Sequence, residues 1–119
     1  MTSTLEPAID VRYEGGGTGT ELWGMTQANF VVSLPGHHDK EVAVFLNDVA
    51  AQRLAQELDQ TDTSEFRQAA AHKAGQFWVE ELVRGSLHLD SQIFVSVGLL
   101  DEHPEIIAHL KQTRADYAD

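Results

Sequence analysis

Between Leu46 and Ala50 the spacing of apolar residues changes, and no other feature of the sequence constrains the fold as strongly. Upstream, Ala28, Phe30, Val32 and Leu34 alternate with Gln27, Asn29 and Ser33. Beyond a polar loop at Pro35-Gly36, His37, His38 and Asp39, the residues Val42, Val44 and Leu46 resume the same rhythm. A period of two is that of a strand with one dry face, so these segments read as a hairpin. From Asn47 onward, Ala50, Leu54 and Leu58 recur at fourfold spacing, and Asn47 is itself a favoured helix N-cap. Strands therefore give way to helix at Asn47.

The rest of the chain fills out this order. Ile9, Val11 and Tyr13 alternate with Asp10, Arg12 and Glu14, so a first strand is expected from Ala8 to Glu14. Gly15-Gly16-Gly17-Thr18-Gly19 then reads as a flexible turn between strands. It does not read as a phosphate loop, because no Lys-Ser or Lys-Thr follows and no helix opens there. Asp62-Thr63-Ser64-Glu65 has the form of a capping box and predicts a long helix from Thr63 to Arg84, stopped by Gly85. At about 100° per residue, Phe66, Ala70, Ala74, Phe77, Trp78 and Leu82 share one arc of that helix, expected to face the sheet. Gln68, His72, Lys73, Gln76 and Glu80 take the opposite side. The β-branched and aromatic run from Ile93 to Val97 predicts another strand, and Pro104 opens a last helix striped by Ile106, Ile107 and Leu110. The expected fold is one α+β domain over residues 1–119, in the order β-β-β-α-α-β-α. A small, mostly antiparallel sheet packs on one long amphipathic helix.

Composition narrows the functional classes. Nineteen acidic against eight basic residues give a formal charge of -11, a field that repels nucleic-acid phosphates and anionic membranes and attracts cationic partners. The absence of cysteine excludes a disulfide framework and a thiolate metal site. The first residues carry an acid at Glu6 and neither a basic segment nor an apolar run, so no secretory signal is expected. A cytoplasmic protein without membrane segments is the expectation.

No motif names a reaction. Six histidines are present, but they include no i,i+4 pair and no His-Glu-x-x-His segment. No serine sits in a Gly-x-Ser-x-Gly elbow. No catalytic residue, metal ligand or cofactor is therefore assigned. Glu81 falls inside the apolar arc of the long helix, where it is expected to pair with Arg84. The acidic residues Glu57, Asp59, Asp62 and Glu65 cluster around the turn between the first two helices, and with Trp23 they form the expected partner-binding set. The leading expectation is a non-enzymatic factor, an inhibitor, adaptor or immunity-like protein, that presents carboxylates to a basic protein partner. Two alternatives stand beside it. One is a small enzyme or ligand-binding domain with a pocket between sheet and long helix, using Glu81, Trp78 and His88. The other is a structural homo-oligomer, such as a homodimer, joined through free strand edges.

Overall fold

The computed structural model describes residues 10–18, 24–85 and 89–113. Its elements are β1 (Asp10–Thr18), β2 (Thr26–Ser33), β3 (Lys40–Leu46), α1 (Asp48–Glu57), α2 (Ser64–Arg84), β4 (Gln92–Val95), α3 (Val97–Glu102) and α4 (Glu105–Gln112). The sheet has the order β1-β2-β3-β4. Its first two pairings are antiparallel, and β4 returns parallel to β3. A parallel return needs a long crossover, and α1 and α2 supply it. The α+β class and the long helix packed on the sheet are as the hydrophobic periods require.

One face of the sheet is the core. Ala28, Phe30 and Val32 of β2, Val42, Val44 and Leu46 of β3, and Ile93 and Val95 of β4 are all buried. Helix α2 crosses this face at Gly75, where an added Cβ would stand 2.8 Å from the Phe30 ring and 3.3 Å from Val44. A glycine in mid-helix weakens the helix by about 1 kcal/mol relative to alanine. Here it allows the close crossing.

The glycine-rich segment differs from expectation. Gly15, Gly16 and Gly17 belong to β1 rather than to a turn, and the register with β2 shifts between Tyr13 and Gly16. Gly15 has φ 96°, and a Cβ on Gly16 would lie 1.9 Å from the Gln27 carbonyl oxygen. The glycines thus form a bulge where two backbones approach closely. Ala8, Ile9 and Gly19 lie outside the described residues.

Capping chemistry accounts for two further differences. The fourth strand ends at Val95, because the Ser96 hydroxyl accepts from the Leu99 N–H at 3.2 Å and starts α3, taking β-branched Val97 into a helix. The order is therefore one helix longer than expected. At α2 the cap is Thr63, whose hydroxyl accepts from the Phe66 N–H at 3.0 Å. Asp62 is occupied elsewhere, by two hydrogen bonds of 2.7 Å from Arg67.

The orientation of α2 is rotated from the expected arc. Phe77 and Leu82 are only partly buried, and the Phe77 ring stacks on His109 of α4 at 4.5 Å instead of facing strands. Gln68, His72 and Gln76, expected on the outer side, face β1. Gln68 donates to the Tyr13 hydroxyl at 3.0 Å, His72 stacks on the Tyr13 ring at 3.7 Å, and Gln76 donates to the Val11 carbonyl at 2.8 Å. Spacings of four residues put all three on one helical row. That row fastens the glycine-rich strand.

Candidate functional site

The second face of the sheet carries no described helix. Side chains alternate across a strand, so this face is made by the residues between the core positions. Cross-strand register sets them in rows. Arg12, Val31 and Glu41 form one, Asn29, Ala43 and Gln92 the next, and Gln27, Phe45 and Phe94 the third. Phe45 and Phe94 stack with centroids 5.1 Å apart and planes 18° from parallel. Phe94 remains 54% exposed, whereas Phe30 on the covered face is 1% exposed.

Beside the aromatic row lies a shallow basin of about 500 Å³, walled by Glu14, Gln27, Asn29, Glu41, Ser91 and Gln92 among others. Gln27 donates to Asn29 at 2.7 Å, which fixes both amides. Glu14 is offset by Arg12 at 3.6 Å, and Arg12 also pairs with Asp10 at 3.3 Å. Glu41 has no ion pair among the described residues. The basin therefore offers carboxylate and amide oxygens next to an apolar ring surface. That combination suits a cationic side chain with an alkyl stem.

The sequence-predicted acidic set lies elsewhere, at the junction of α1 and α2. Glu57 pairs with Arg53 at 3.4 Å and with Lys111 at 3.7 Å. Arg67 binds Asp62 and also Asp48, and its hydrogen bond is the main reason the Asp62 carboxyl titrates below its ordinary range. Asp59, at φ 55°, and Asp62 border a hollow of about 430 Å³ with Gln52, Gln56 and Gln60. Glu65 is exposed in the first turn of α2. Of the four, Asp59 and Asp62 meet on one hollow, while Glu57 is drawn into a separate network. Trp23 lies outside the described residues.

Glu81 pairs with Arg84 at 2.7 Å, and Trp78 is buried with its ring 4.4 Å from His103. His88 is outside the described residues. His37 and His38 are exposed in the loop between β2 and β3, and Asp39 accepts from the Ser33 hydroxyl at 2.9 Å. Among the described residues no three His, Asp or Glu side chains are placed to hold a metal ion, and no helix is long and apolar enough to cross a membrane.

Sequence reasoning missed Phe45, Phe94 and Glu41. A signal was present. From Val42 to Leu46 every residue is apolar, so Ala43 and Phe45 stand where a strand with one wet face calls for polar residues. No known protein family matches the chain, and neither does any curated protein or solved structure.

Proposed function

We propose that this chain is a non-enzymatic protein-binding factor, of the inhibitor, adaptor or immunity type, that takes a basic partner on the helix-free face of its sheet. The observation that carries this reading is the stacked Phe45–Phe94 pair, half-buried at Phe45 and exposed at Phe94, beside a basin bearing Glu14 and Glu41. Covering the exposed half of Phe94 gains about 1 kcal/mol, roughly half of what burying a fully exposed phenylalanine gains, and aromatic anchors dominate protein interfaces. The overall charge of -11 adds attraction for a cationic partner and raises its encounter rate.

The test compares three tagged forms of the protein as baits in a cell lysate: wild type, Phe45→Ser with Phe94→Ser, and Glu57→Gln with Asp59→Asn and Glu65→Gln. The third form keeps Asp62, so the Arg67 pair is undisturbed. A stoichiometric partner held by wild type and by the third form, but lost from the second, supports the open face. Equal retention by all three forms contradicts it, and loss from the third form alone moves the site to the α1–α2 junction.

A further inference from the structure

The two edges of the sheet are built differently. On β1 the charged residues Asp10, Arg12 and Glu14 are exposed, and a bulge interrupts the register between Tyr13 and Gly16. Charges and bulges are the devices that stop an edge from pairing with another chain. At the other end of the sheet, β4 reads Gln-Ile-Phe-Val, with no charge, no proline and an unbroken register to β3.

Half of the β4 backbone is used. The Ser91 carbonyl accepts from the Ala43 N–H at 2.8 Å, and the Val95 carbonyl accepts from the Asn47 N–H at 3.0 Å. Alternation along the strand turns the polar groups of Ser91, Ile93 and Val95 toward β3 and those of Gln92 and Phe94 outward. Among the described residues no strand pairs with that outer side.

We propose that β4 is a docking edge, at which an extended basic segment of a partner protein adds as a fifth strand through backbone hydrogen bonds to Gln92 and Phe94. This rests on the reading of the open face as a binding surface and names what it takes. A four-strand face, at about 4.8 Å per strand and about 3.3 Å per residue, covers only roughly 450 Å². Each side of a stable complex usually buries about 800 Å², so an added strand supplies directional bonds that the flat face lacks. Side-chain alternation gives the segment its character. Residues on the core side continue the apolar layer of Ile93 and Val95. Residues on the open side lie next to Gln92 and Phe94, from which a lysine or arginine extends across β4 toward Glu41 of β3, at the near side of the basin. Lys40 is held by the Leu89 carbonyl. Self-pairing of two β4 edges would bring together two copies each carrying -11, so charge favours a cationic partner over a second copy.

A nine-residue peptide alternating Lys and Val serves as the probe, titrated into the full chain by fluorescence anisotropy. It is compared with two versions N-methylated at every second residue, one in each frame. One frame blocks the hydrogen bonds to β4 and should weaken binding at least tenfold, while the other should bind within about threefold of the parent, since only one edge of an added strand is used. Gln92→Pro removes one outward N–H and leaves the β3 ladder intact, and should also weaken the parent peptide at least tenfold. If that variant does not fold, amide exchange of the wild type decides: Gln92 and Phe94 should become protected when peptide saturates. No binding of the parent peptide overturns the proposal. So does equal binding of all three peptides; if Phe45→Ser with Phe94→Ser still abolishes that binding, the open face stands and only the edge falls. A peptide-free mass of two copies, with both amides already protected, overturns the proposal in favour of self-pairing.

Discussion

The two faces of this sheet are made by the same strands, one residue out of step, and they have opposite character. On the covered face Phe30 and Val44 meet Gly75 of α2 with no room for a methyl group. On the open face Phe45 follows Val44 and Phe94 follows Ile93, yet their rings stack on each other and Phe94 stays 54% exposed. Apolar residues on the first face hold the fold. On the second, Phe94 contributes little to folding, because more than half of it stays exposed in the native state, and its value lies in what covers it.

The largest effect that sharpens this contrast is a pair of truncations. Phe30→Ala should lower the unfolding free energy by about 3–5 kcal/mol, as filled core aromatics do, whereas Phe94→Ala should stay within about 0.5 kcal/mol of wild type. Denaturant unfolding measures both. Equal losses would make Phe94 a core residue and remove the distinction. Next in size is Gly75→Ala. The added methyl would press on the Phe30 ring, so overpacking of about 1–3 kcal/mol should outweigh the ~1 kcal/mol that alanine gains in a helix. A stabilised variant would mean that α2 stands off the sheet.

Much of the covered face was legible in the sequence. Ala28, Phe30 and Val32 announce their strand by strict alternation, and Asn47 marks the change to helix with a side chain that accepts from the Val49 N–H at 2.8 Å. Less legible were features set by tertiary contact. The glycines at 15–17 have turn composition, but they serve a bulge because the Gln27 carbonyl leaves no space for a Cβ at Gly16. Gln68, His72 and Gln76 look like a solvated stripe, and they are polar because they bind the carbonyl and ring groups of β1. The acidic cluster was visible as composition. Arg53 with Glu57 and Arg67 with Asp62 are pairs at local spacing, but that Lys111 also takes Glu57 and that Arg67 also binds Asp48 depends on elements far apart in sequence.

The β1 seam gives a smaller, pH-dependent test. Burial, followed by the nearby charge of Lys73, lowers the pKa of His72. A histidine depressed in the folded state stabilises the fold fully above its unfolded pKa, near ~6.5. Below that the unfolded chain takes up the proton first, so stability falls with pH. Asp62 acts in the same direction in a lower window, since a depressed carboxyl loses its contribution as pH falls through the folded pKa. Unfolding measured from pH 7.5 to 5 should therefore show a slope that His72→Phe, which keeps a ring against Tyr13, reduces. An unchanged slope would exclude His72 as its source. The smallest expected effect is that of Glu57→Gln with Asp59→Asn and Glu65→Gln, which should shift stability by less than about 1 kcal/mol because exposed ion pairs contribute little.

The most direct test of where a partner binds is an amide-resolved NMR titration of the ¹⁵N-labelled chain with the alternating Lys-Val peptide. Shifts centred on Gln27, Asn29, Glu41, Ala43, Gln92 and Phe94, weakening as salt rises because screening shortens charge attraction to about 8 Å at physiological ionic strength, are the expected result. Shifts confined to Gln52, Gln56, Asp59 and Gln60, with the open face silent, would contradict it.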